Sequence, residues 1–433
     1  MLRLGYKYYV LGVLTLVFAM NSLDSSLMIL LLQPIKEDLH LSDSRLGFLT
    51  GIAFGLFYAT LGLPIARWVD RGNRATITSL AIGVWGLTVM CCLFVSNYAQ
   101  LVAARVAAGI GESGCMPATY SLIGDYFPRP AERTRAMAIY WLANPVAPLV
   151  SFVLGGWLNE TLGWRVAFFA MGVPGLLIAA LVKLTVRDPR PATVATDGAA
   201  ASVPGMTDVL RVLWRQPSAR HLALGIILLF TMGYGLSPWY AASLIRRFGM
   251  RTGELGVWLG LIFGFAGIAG TLFGGYLSAQ RFANDERGQM RLSALVVSSL
   301  VFWLLLFLLL PQKQQALLAL IPLVVVANFI LGPAFALLQR LVPNDMRATA
   351  MAVVMLFANL IGLGIGPQMV GVLSDGLRPV VGNESLPDAM LIVSLVTFAS
   401  AYQFWRAGQY AREDLARAAH TINAAGAAAR AGP

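Results

Sequence analysis

Three charged side chains stand inside stretches of sequence that are otherwise apolar. Arg105 and Glu112 belong to the run ARVAAGIGESG, and Asp24 belongs to the run NSLDSS. Arg105 and Glu112 are seven residues apart, so a helix would place them about 10 Å apart along its axis and on nearly the same face. The carboxyl groups could carry a proton, because burial disfavours their ionised form whereas a nearby guanidinium favours it. The guanidinium could instead bind an anion.

The rest of the sequence must supply the helices that hold these groups. Of the 433 residues, 58% are hydrophobic and 12% are charged, and the mean hydropathy is +0.70, whereas about a quarter of the residues in soluble domains are charged. The apolar residues fall into runs of about 20, the length that crosses a bilayer as a helix. We therefore predict an all-α polytopic membrane protein. Its predicted spans are 6–33, 44–67, 74–95, 98–124, 136–158, 165–186, 220–245, 254–279, 291–310, 316–340, 348–374 and 388–408.

The distribution of basic residues predicts the orientation of the spans in the membrane. Of the 32 Lys and Arg residues, 23 flank the side that holds both termini and 8 flank the other side. Because basic loops stay in the cytoplasm, we expect an integral protein of the bacterial inner membrane with both termini cytoplasmic. The basic composition has this origin, so no nucleic-acid partner is expected. Arg246, Arg247 and Arg251 oppose the rule, and the sequence offers no explanation for them.

The two halves of the chain resemble each other. LGFLTGIAFG opens the second span and LGVWLGLIFG opens the eighth, so both follow the pattern L-G-x-x-x-G-x-x-F-G. Parallel repeats are a transporter architecture, although glycine-rich spans can also match by chance. The repeat predicts twelve transmembrane helices in two pseudo-symmetric six-helix bundles. The predicted domains are an N-terminal bundle at 1–186, a cytoplasmic linker at 187–219, a C-terminal bundle at 220–410 and a cytoplasmic tail at 411–433.

Several motifs resemble those of the major facilitator superfamily, and within it the spinster-like transporters. The loop ARWVDRGNR resembles the superfamily's D-R-x-G-R signature at Asp70, Arg71 and Arg74, with Ala66 in place of a glycine. In the fourth span, ARVAAGIGE resembles the superfamily's R-x-x-x-G motif followed by the G-x-G-E of spinster-like members. The runs DYFPRPAERTRA and NLIGLGIGP fit the same family.

The first span carries a further match, in which Asn21 and Asp24 fit the family's Asn-x-x-Asp pattern. Many members have an arginine after that aspartate, whereas this chain has Ser25. The resemblance implies a secondary active transporter that alternates between inward-open and outward-open states. Spans one, four, seven and ten would line its central cavity. Animal relatives export amphiphiles of the lysophospholipid or sphingosine-phosphate type, and the resemblance to bacterial relatives implies proton coupling.

The acids of the membrane interior are the candidates for proton coupling. The three histidines, His40, His221 and His420, lie outside the spans or at a span end, so Asp24 and Glu112 are the groups available to titrate in the membrane interior. Our hypothesis is that these two carboxyl groups carry the proton and that Arg105 changes partner. Arg105 could alternatively bind an anionic substrate headgroup through paired hydrogen bonds. It could also be a fixed strut between helices, since buried ion pairs can serve packing alone.

The candidate cavity residues of the second half are polar or aromatic rather than charged. They are Tyr234, Ser237, Trp239 and Tyr240 in the seventh span, and Asn328 and Phe329 in the tenth. A cavity with charges on one side and aromatic rings on the other suits an amphiphile. Each aromatic ring could equally serve ordinary interhelical packing or an interfacial belt. On the cytoplasmic side, the resemblance assigns gating contacts to Asp70, Arg71 and Arg74.

Other classes of protein fit the sequence less well. No lysine follows a glycine, so the phosphate-binding loop of an ATP-driven pump is absent from the sequence. The sequence contains no G-x-S-x-G nucleophile elbow, so we expect no enzyme, no cofactor and no metal. The main alternative is a carrier of small organic anions or drugs, and a channel or non-transporting receptor is a remote one. We expect a monomer in the lipid bilayer whose partners are protons and a small amphiphilic or organic substrate.

Overall fold

Nearly all of the described backbone is helical, because a bilayer offers peptide groups no hydrogen-bond partners and a helix satisfies them internally. The computed structural model describes residues 4–190, 206–282, 285–343 and 346–430. The helices of the first half are α1 (Leu4–Leu39), α2 (Asp43–Thr50), α3 (Ile52–Arg71), α4 (Arg74–Cys91), α5 (Tyr98–Tyr126), α6 (Pro130–Trp141), α7 (Ala143–Leu162) and α8 (Trp164–Thr185), with a 3₁₀ turn at Cys92–Phe94.

The helices of the second half of the chain range from 10 to 35 residues in length. Its helices are α9 (Met206–Arg215), α10 (Pro217–Phe248), α11 (Thr252–Leu261), α12 (Gly267–Arg281), α13 (Glu286–Leu309), α14 (Lys313–Phe329), α15 (Leu331–Leu341), α16 (Arg347–Phe357), α17 (Gly364–Val381), α18 (Ser385–Ser394) and α19 (Val396–Arg430). A π-helical segment, Ile262–Ala266, joins α11 to α12, and another, Ala358–Leu363, joins α16 to α17. A 3₁₀ turn, Gly382–Glu384, precedes α18.

The segments that could span a membrane agree in number with the predicted spans. Ten segments of the described chain are long and apolar enough to cross a membrane, and one of them, Thr349–Arg417, has 69 residues and covers two predicted spans. Helix α5 is not among the ten; it has 29 residues and carries Arg105 and Glu112. With the long segment counted twice and α5 added, the predicted twelve spans are all accounted for. The prediction of an all-α polytopic membrane protein is confirmed.

Four of the predicted spans consist of two consecutive helices. Gly51 separates α2 from α3, Leu142 separates α6 from α7, Ile330 separates α14 from α15, and Leu395 separates α18 from α19. Pro145 and Pro333 stand in the first turn of the helix that follows two of these breaks. A proline lacks the N–H that an interior helical position would donate, but the first turn does not require that donor. The prolines therefore explain why a new helix begins at these two points.

The chain forms two compact units. The first comprises Met1–Ala199, Ser237–Phe265 and Pro367–Leu386, and the second comprises Ala200–Leu236, Ala266–Gly366 and Pro387–Pro433. The first unit therefore contains α1 to α8, together with the end of α10, all of α11 and most of α17. The domain boundaries that the repeat predicts at 1–186, 187–219, 220–410 and 411–433 stay a prediction.

Glycines bring the helices of the first unit to backbone contact. A Cβ atom on Gly109 of α5 would lie 2.9 Å from the carbonyl oxygen of Phe54 in α3. A Cβ atom on Gly111 would lie 2.8 Å from the backbone nitrogen of Trp85 in α4. Close approach of this kind stabilises helix packing in lipid, where no hydrophobic effect drives the helices together. Helix α5 is thus fixed on two flanks.

Within the second unit, the short helix α9 packs against α16. Val209 and Leu213 form its buried face, whereas Trp214 is exposed. At the start of α10, the amide and the hydroxyl of Ser218 donate to the carboxylate of Asp414 in α19, at 2.8 and 2.6 Å. Helix α9 falls within the segment that the sequence predicts as the linker, 187–219.

Candidate functional site

The guanidinium of Arg105 in α5 donates a hydrogen bond to the carboxylate of Asp24 in α1. The Nη1–Oδ2 distance is 2.6 Å, and the two residues are 5% and 2% exposed. The guanidinium also lies over the ring of Phe54, 4.8 Å from its centroid. A charge inside a membrane is costly unless it is paired or hydrated, and a charge-assisted hydrogen bond is among the strong ones. The structure thus joins two of the three charges that the sequence places in the membrane.

Local contacts position this pair. The side chain of Asn97 caps α5 by accepting from the amide of Gln100 at 3.0 Å, so the start of the helix is fixed. On α1, the carbonyl oxygen of Leu23, next to Asp24, accepts from the hydroxyl of Ser151 in α7 at 2.7 Å. Helix α1 is therefore held next to Asp24, and α5 is held at its start, two turns before Arg105.

Glu112 lies on the same face of α5 as Arg105, two turns further along the helix. It is buried, and its Oε1 atom has no hydrogen-bond partner within the described part of the chain. Its electrostatic neighbours are Asp24, Arg105 and the indole of Trp85. The three predicted charges therefore interact with one another, but Arg105 makes its hydrogen bond to Asp24 and not to Glu112.

Asn21 completes this group, which we name the charge cluster: Asn21, Asp24, Arg105 and Glu112. Asn21 is buried on α1 and neighbours Cys115 of α5. Among the described residues, Asn21 Oδ1, Asp24 Oδ1 and Arg105 Nε also lack hydrogen-bond partners. Buried polar groups are nearly always satisfied in folded proteins. The cluster can accept a proton on a carboxyl group and can donate to an anion from its guanidinium.

The six candidate residues of the second half are divided between the two compact units. Ser237, Trp239 and Tyr240 belong to the first unit. Trp239 is fully buried, and its Nε1 atom has no hydrogen-bond partner among the described residues. The ring of Tyr240 packs against that of Phe263, with centroids 6.3 Å apart. Trp239 is therefore the one of these three with an unsatisfied buried donor.

The remaining three, Tyr234, Asn328 and Phe329, belong to the second unit. The ring of Tyr234 meets the aromatic ring one turn before it edge-on, at 5.5 Å. Phe329 is buried against Phe273, with centroids 5.7 Å apart. The side-chain amide of Asn328 donates to the carbonyl oxygen of Val324 in its own helix at 2.9 Å. These contacts are packing and local hydrogen bonding, so a role in lining a cavity stays a prediction for all six.

Arg74, the last residue of the predicted signature, is the centre of a buried polar network. Its side chain is 1% exposed. Its Nη2 atom lies 2.5 Å from Asp188 Oδ1 and 2.6 Å from Asp125 Oδ2. Its Nη1 atom donates to the carbonyl oxygen and the hydroxyl of Ser121, at 3.0 and 2.8 Å. The planar guanidinium thus uses its several donors at once, and it joins α4 to α5 and to the segment after α8.

The other two signature residues end α3. Arg71 is exposed. The backbone of Asp70 is helical, but its side chain lies outside the described residues. The gating roles that the resemblance assigns to Asp70, Arg71 and Arg74 therefore stay a prediction.

Asp188 is a partner that the sequence motifs do not reveal, because this residue falls within the predicted linker, 187–219. Burial pushes the pKa of Asp188 upward, but hydrogen bonds from the Arg74 side chain and from the amides of Arg74 and Arg190 outweigh burial and hold the pKa below its ordinary value. Nearby, Arg190 Nη2 donates to the carbonyl oxygens of Val69 and Gly72 at 3.0 and 3.4 Å. The signal in the sequence is an acid directly after the sixth span, within a basic run.

The three arginines that oppose the charge rule have contacts in the first unit. Arg246 donates to both carboxylate oxygens of Asp43, at 2.8 and 2.6 Å. Arg251 forms an ion pair with Glu160, and the guanidinium of Arg247 lies over the ring of Phe248. Two of these arginines are therefore neutralised by acids at the same end of the helices.

The described residues contain no group of three or more His, Cys, Asp or Glu side chains that could hold a metal ion. The three cysteines are free thiols: Cys91 is exposed, whereas Cys92 and Cys115 are buried. Cys92 and Cys115 lie close to the charge cluster. They fill space between helices as small apolar side chains.

Comparison with known proteins agrees with this architecture. The chain matches the family model of the Major Facilitator Superfamily over residues 14–367. An MFS-type efflux pump of Mycolicibacterium smegmatis is 33% identical over 407 residues, which cover 93% of each chain. Spinster homologue 1 of Xenopus tropicalis is 24% identical over an alignment of 444 residues, which covers 96% of this chain and 83% of the relative. A crystal structure of a bacterial homologue of the human lysosomal transporter Spinster, inward-facing and unoccupied, superposes with a TM-score of 0.83 at 26% identity and covers 95% of this chain and 99% of that one.

Proposed function

Because the chain belongs to the Major Facilitator Superfamily, whose members transport by alternating access, we propose that it is a proton-coupled secondary active transporter of an anionic amphiphile. Its relatives and its fold are those of transporters and not of enzymes. The resemblance to spinster-like transporters that the sequence motifs carry is confirmed by the spinster homologues among its relatives.

The composition of the charge cluster is the observation that carries proton coupling. One guanidinium stands beside two carboxyl groups, so the cluster has a net charge of −1 when both are ionised and is neutral when one holds a proton. Burying a net charge costs far more free energy than burying a balanced set. Since Arg105 is hydrogen-bonded to Asp24, Glu112 is the carboxyl group that takes the proton in this arrangement.

A change of partner by Arg105 moves the site that holds the proton. If Arg105 turns from Asp24 to Glu112, the positive charge favours ionised Glu112, which gives up its proton, and Asp24 becomes the carboxyl group that takes one up. The two carboxyl groups lie on different helices, α1 and α5, so a movement between these helices changes which of them Arg105 reaches. The coupling therefore needs no histidine.

The substrate class follows from Arg105 and from the relatives. Arg105 Nε has no hydrogen-bond partner among the described residues, and a guanidinium binds phosphate and carboxylate groups well. An amphiphile of the lysophospholipid or sphingoid-phosphate type presents such a headgroup. Trp239 and Tyr240 supply aromatic surface and Asn21 a polar group, which makes them candidates to line the substrate path.

A second candidate function is the transport of small organic anions or drugs. It is favoured by the identity of 33% to an MFS-type efflux pump. Arg105 would serve either substrate in the same way, because both present an anionic group. In both cases we place the protein in the bacterial inner membrane as a monomer with cytoplasmic termini, where Arg74 and its neighbours would form the cytoplasmic gate.

Transport in proteoliposomes tests the proposal. The purified protein is reconstituted with a pH-sensitive dye inside, and lysophospholipids, sphingoid phosphates and aromatic acids are supplied under an imposed pH gradient. We expect a proton flux with the first two classes. Glu112→Gln and Asp24→Asn should each lose gradient-driven transport by about a hundredfold or more, the lower end of the range that a proton-transferring group contributes to a rate, while substrate exchange continues.

Asp38→Asn is the matched control, because Asp38 is a half-exposed carboxylate at the end of the same helix as Asp24 and pairs with Arg165. It should transport like the wild type. Full gradient-driven transport by both Glu112→Gln and Asp24→Asn would refute proton coupling through the cluster. A flux with aromatic acids alone would favour the second candidate.

A further inference from the structure

Asp43 is a fully buried carboxylate at the first position of α2, outside the charge cluster. It is 2% exposed. Its oxygens accept from Arg246 of α10 at 2.6 and 2.8 Å, from Lys36 of α1 at 2.5 Å and from Ser374 of α17 at 2.7 Å. Arg246 also donates to Gln33 of α1 at 2.7 Å. One side chain therefore connects four helices, and all of these residues lie in the first compact unit.

A second carboxylate binds the start of the same helix. Asp375 of α17 accepts from the amides of Asp43 and Ser44, at 3.0 and 2.7 Å, and from the Ser44 hydroxyl at 2.6 Å. The first amides of a helix have no partner within the helix, and the helix dipole favours an anion there. Asp375 thus caps α2, although it lies 331 positions after Ser44 in the chain.

The backbones are also in direct contact beside these polar groups. A Cβ atom on Gly371 of α17 would overlap the carbonyl oxygen of Asp43. A Cβ atom on Gly47 of α2 would lie 2.6 Å from the carbonyl oxygen of Pro367. The ion pair, the cap and the glycine contacts therefore fasten α2 to α17 at one end of both helices.

We propose that Asp43, Arg246 and Asp375 form a conformational latch that opens and closes in each transport cycle. The latch joins α1 and α2, from the first half of the chain, to α10 and α17, from the second half. Alternating access requires that contacts between the halves at one end of the helices break when that end opens. These contacts lie at the C-terminal ends of α1 and α10. Among the contacts between the two halves in the described residues, they have the most hydrogen bonds.

The latch explains the anomaly in the charge distribution. Arg246 stands on the side of the membrane where the charge rule disfavours arginine, and its two hydrogen bonds to Asp43 give it a function there. Removing one partner of a buried ion pair leaves an uncompensated charge in the interior. Such a variant should therefore favour the state in which the site is open and hydrated. This inference rests on alternating access and is independent of the substrate and of proton coupling.

Distances between spin labels test the latch in the purified full-length protein. Labels are attached to Ser96→Cys and Asn383→Cys, two exposed loop positions at the latch end, with Cys91 replaced by Ala. We expect Arg246→Gln and Asp43→Asn each to raise the population of the longer distance about fivefold or more, the scale of typical conformational coupling. Arg247→Gln removes the same charge from the adjacent position and should leave the distances unchanged.

A pair of glycine variants tests the latch without removing a charge, in case the charge variants do not fold. Gly371→Ala should raise the longer-distance population as well, because its methyl group would push α17 away from Asp43, whereas Gly376→Ala on the same helix meets nothing within 4 Å and should have no effect. Unchanged distances in Arg246→Gln and Gly371→Ala, or an equal change in Arg247→Gln, would overturn the latch. The measurement needs neither substrate nor pH gradient, so its failure is distinct from a failure of proton coupling.

Discussion

Arg74 binds Asp188 through its side chain and through its backbone amide at the same time. Nε and Nη2 donate to the carboxylate, and the amide donates to Oδ2 at 2.8 Å, although the residues are 114 positions apart. Because Arg74 is also the first residue of α4, the carboxylate sits at a helix N-terminus, where an anion is favoured. The segment after α8 is thereby fastened to the start of α4.

Asp188→Asn should destabilise the protein at neutral pH and lose this effect in acid. The pKa of Asp188 is held below its ordinary value, so its ionised form stabilises the fold above the unfolded-state pKa, about 3.9. That contribution disappears as the pH falls through the lower pKa of the folded state. We expect a cost of about 1.5–3 kcal/mol at pH 7, as for hydrogen bonds to charged groups, and a shrinking difference in melting temperature below about pH 4. A difference that persists unchanged at pH 3 would contradict the assignment.

Arg105→Gln should be more harmful alone than together with Asp24→Asn. The single change leaves a buried carboxylate without its guanidinium, which typically costs about 3–5 kcal/mol. The second change removes that charge, so the double variant should recover a large part of the loss. Denaturant unfolding of the four proteins in detergent measures the coupling, and strictly additive losses would show that the two side chains do not stabilise each other.

Gly111→Ala should loosen the packing of α5. The added methyl group would meet the backbone nitrogen of Trp85 at 2.8 Å, and overpacking of this kind costs about 1–3 kcal/mol. Gly124→Ala is the matched control on the same helix, because nothing lies within 4 Å of its Cβ position. There alanine should stabilise the helix by about 0.5–1 kcal/mol. Thermal unfolding of both variants checks the difference, and equal effects would mean that backbone contact at Gly111 is unimportant.

Labelling with a membrane-impermeant maleimide should show that both termini are cytoplasmic. In a protein with Cys91 replaced by Ala, Ser96→Cys should react in intact cells, whereas Arg129→Cys should react after the membrane is opened. Both positions are exposed, and they lie at opposite ends of α5. The opposite pattern would reverse the orientation that the basic residues predict.

The sequence predicts the spans and the charge cluster well, because both depend on local composition. A charge within a 20-residue apolar run is visible without any structure, and Asp24, Arg105 and Glu112 are three such charges. The motifs that resemble those of a known family are also local. The partner of Arg105 cannot be read from the local sequence. Asp24 and Glu112 are both candidates, and only the packing of α1 against α5 brings Asp24 to the guanidinium.

The ion pairs at the ends of the helices could not be predicted for the same reason. Arg246 and Asp43 are 203 residues apart, and Arg74 and Asp188 are 114 apart. A count of basic residues by loop assigns each charge to a side of the membrane but ignores its partner. By that count Arg246 is an exception, whereas the structure shows that Asp43 on the same side neutralises it.

The separation of Asp24 from Arg105 has a consequence for how the protein is made. The two residues are 81 positions apart, and a ribosome adds 5–20 residues per second, so about 4–16 s pass between their syntheses. During that interval α1 exists without the guanidinium that binds its carboxylate. The insertion machinery must therefore either accept α1 with Asp24 protonated or retain it at the translocon until α5 arrives. If Asp24 remains ionised, the entry of the first helix into the lipid therefore depends on the arrival of the fourth span.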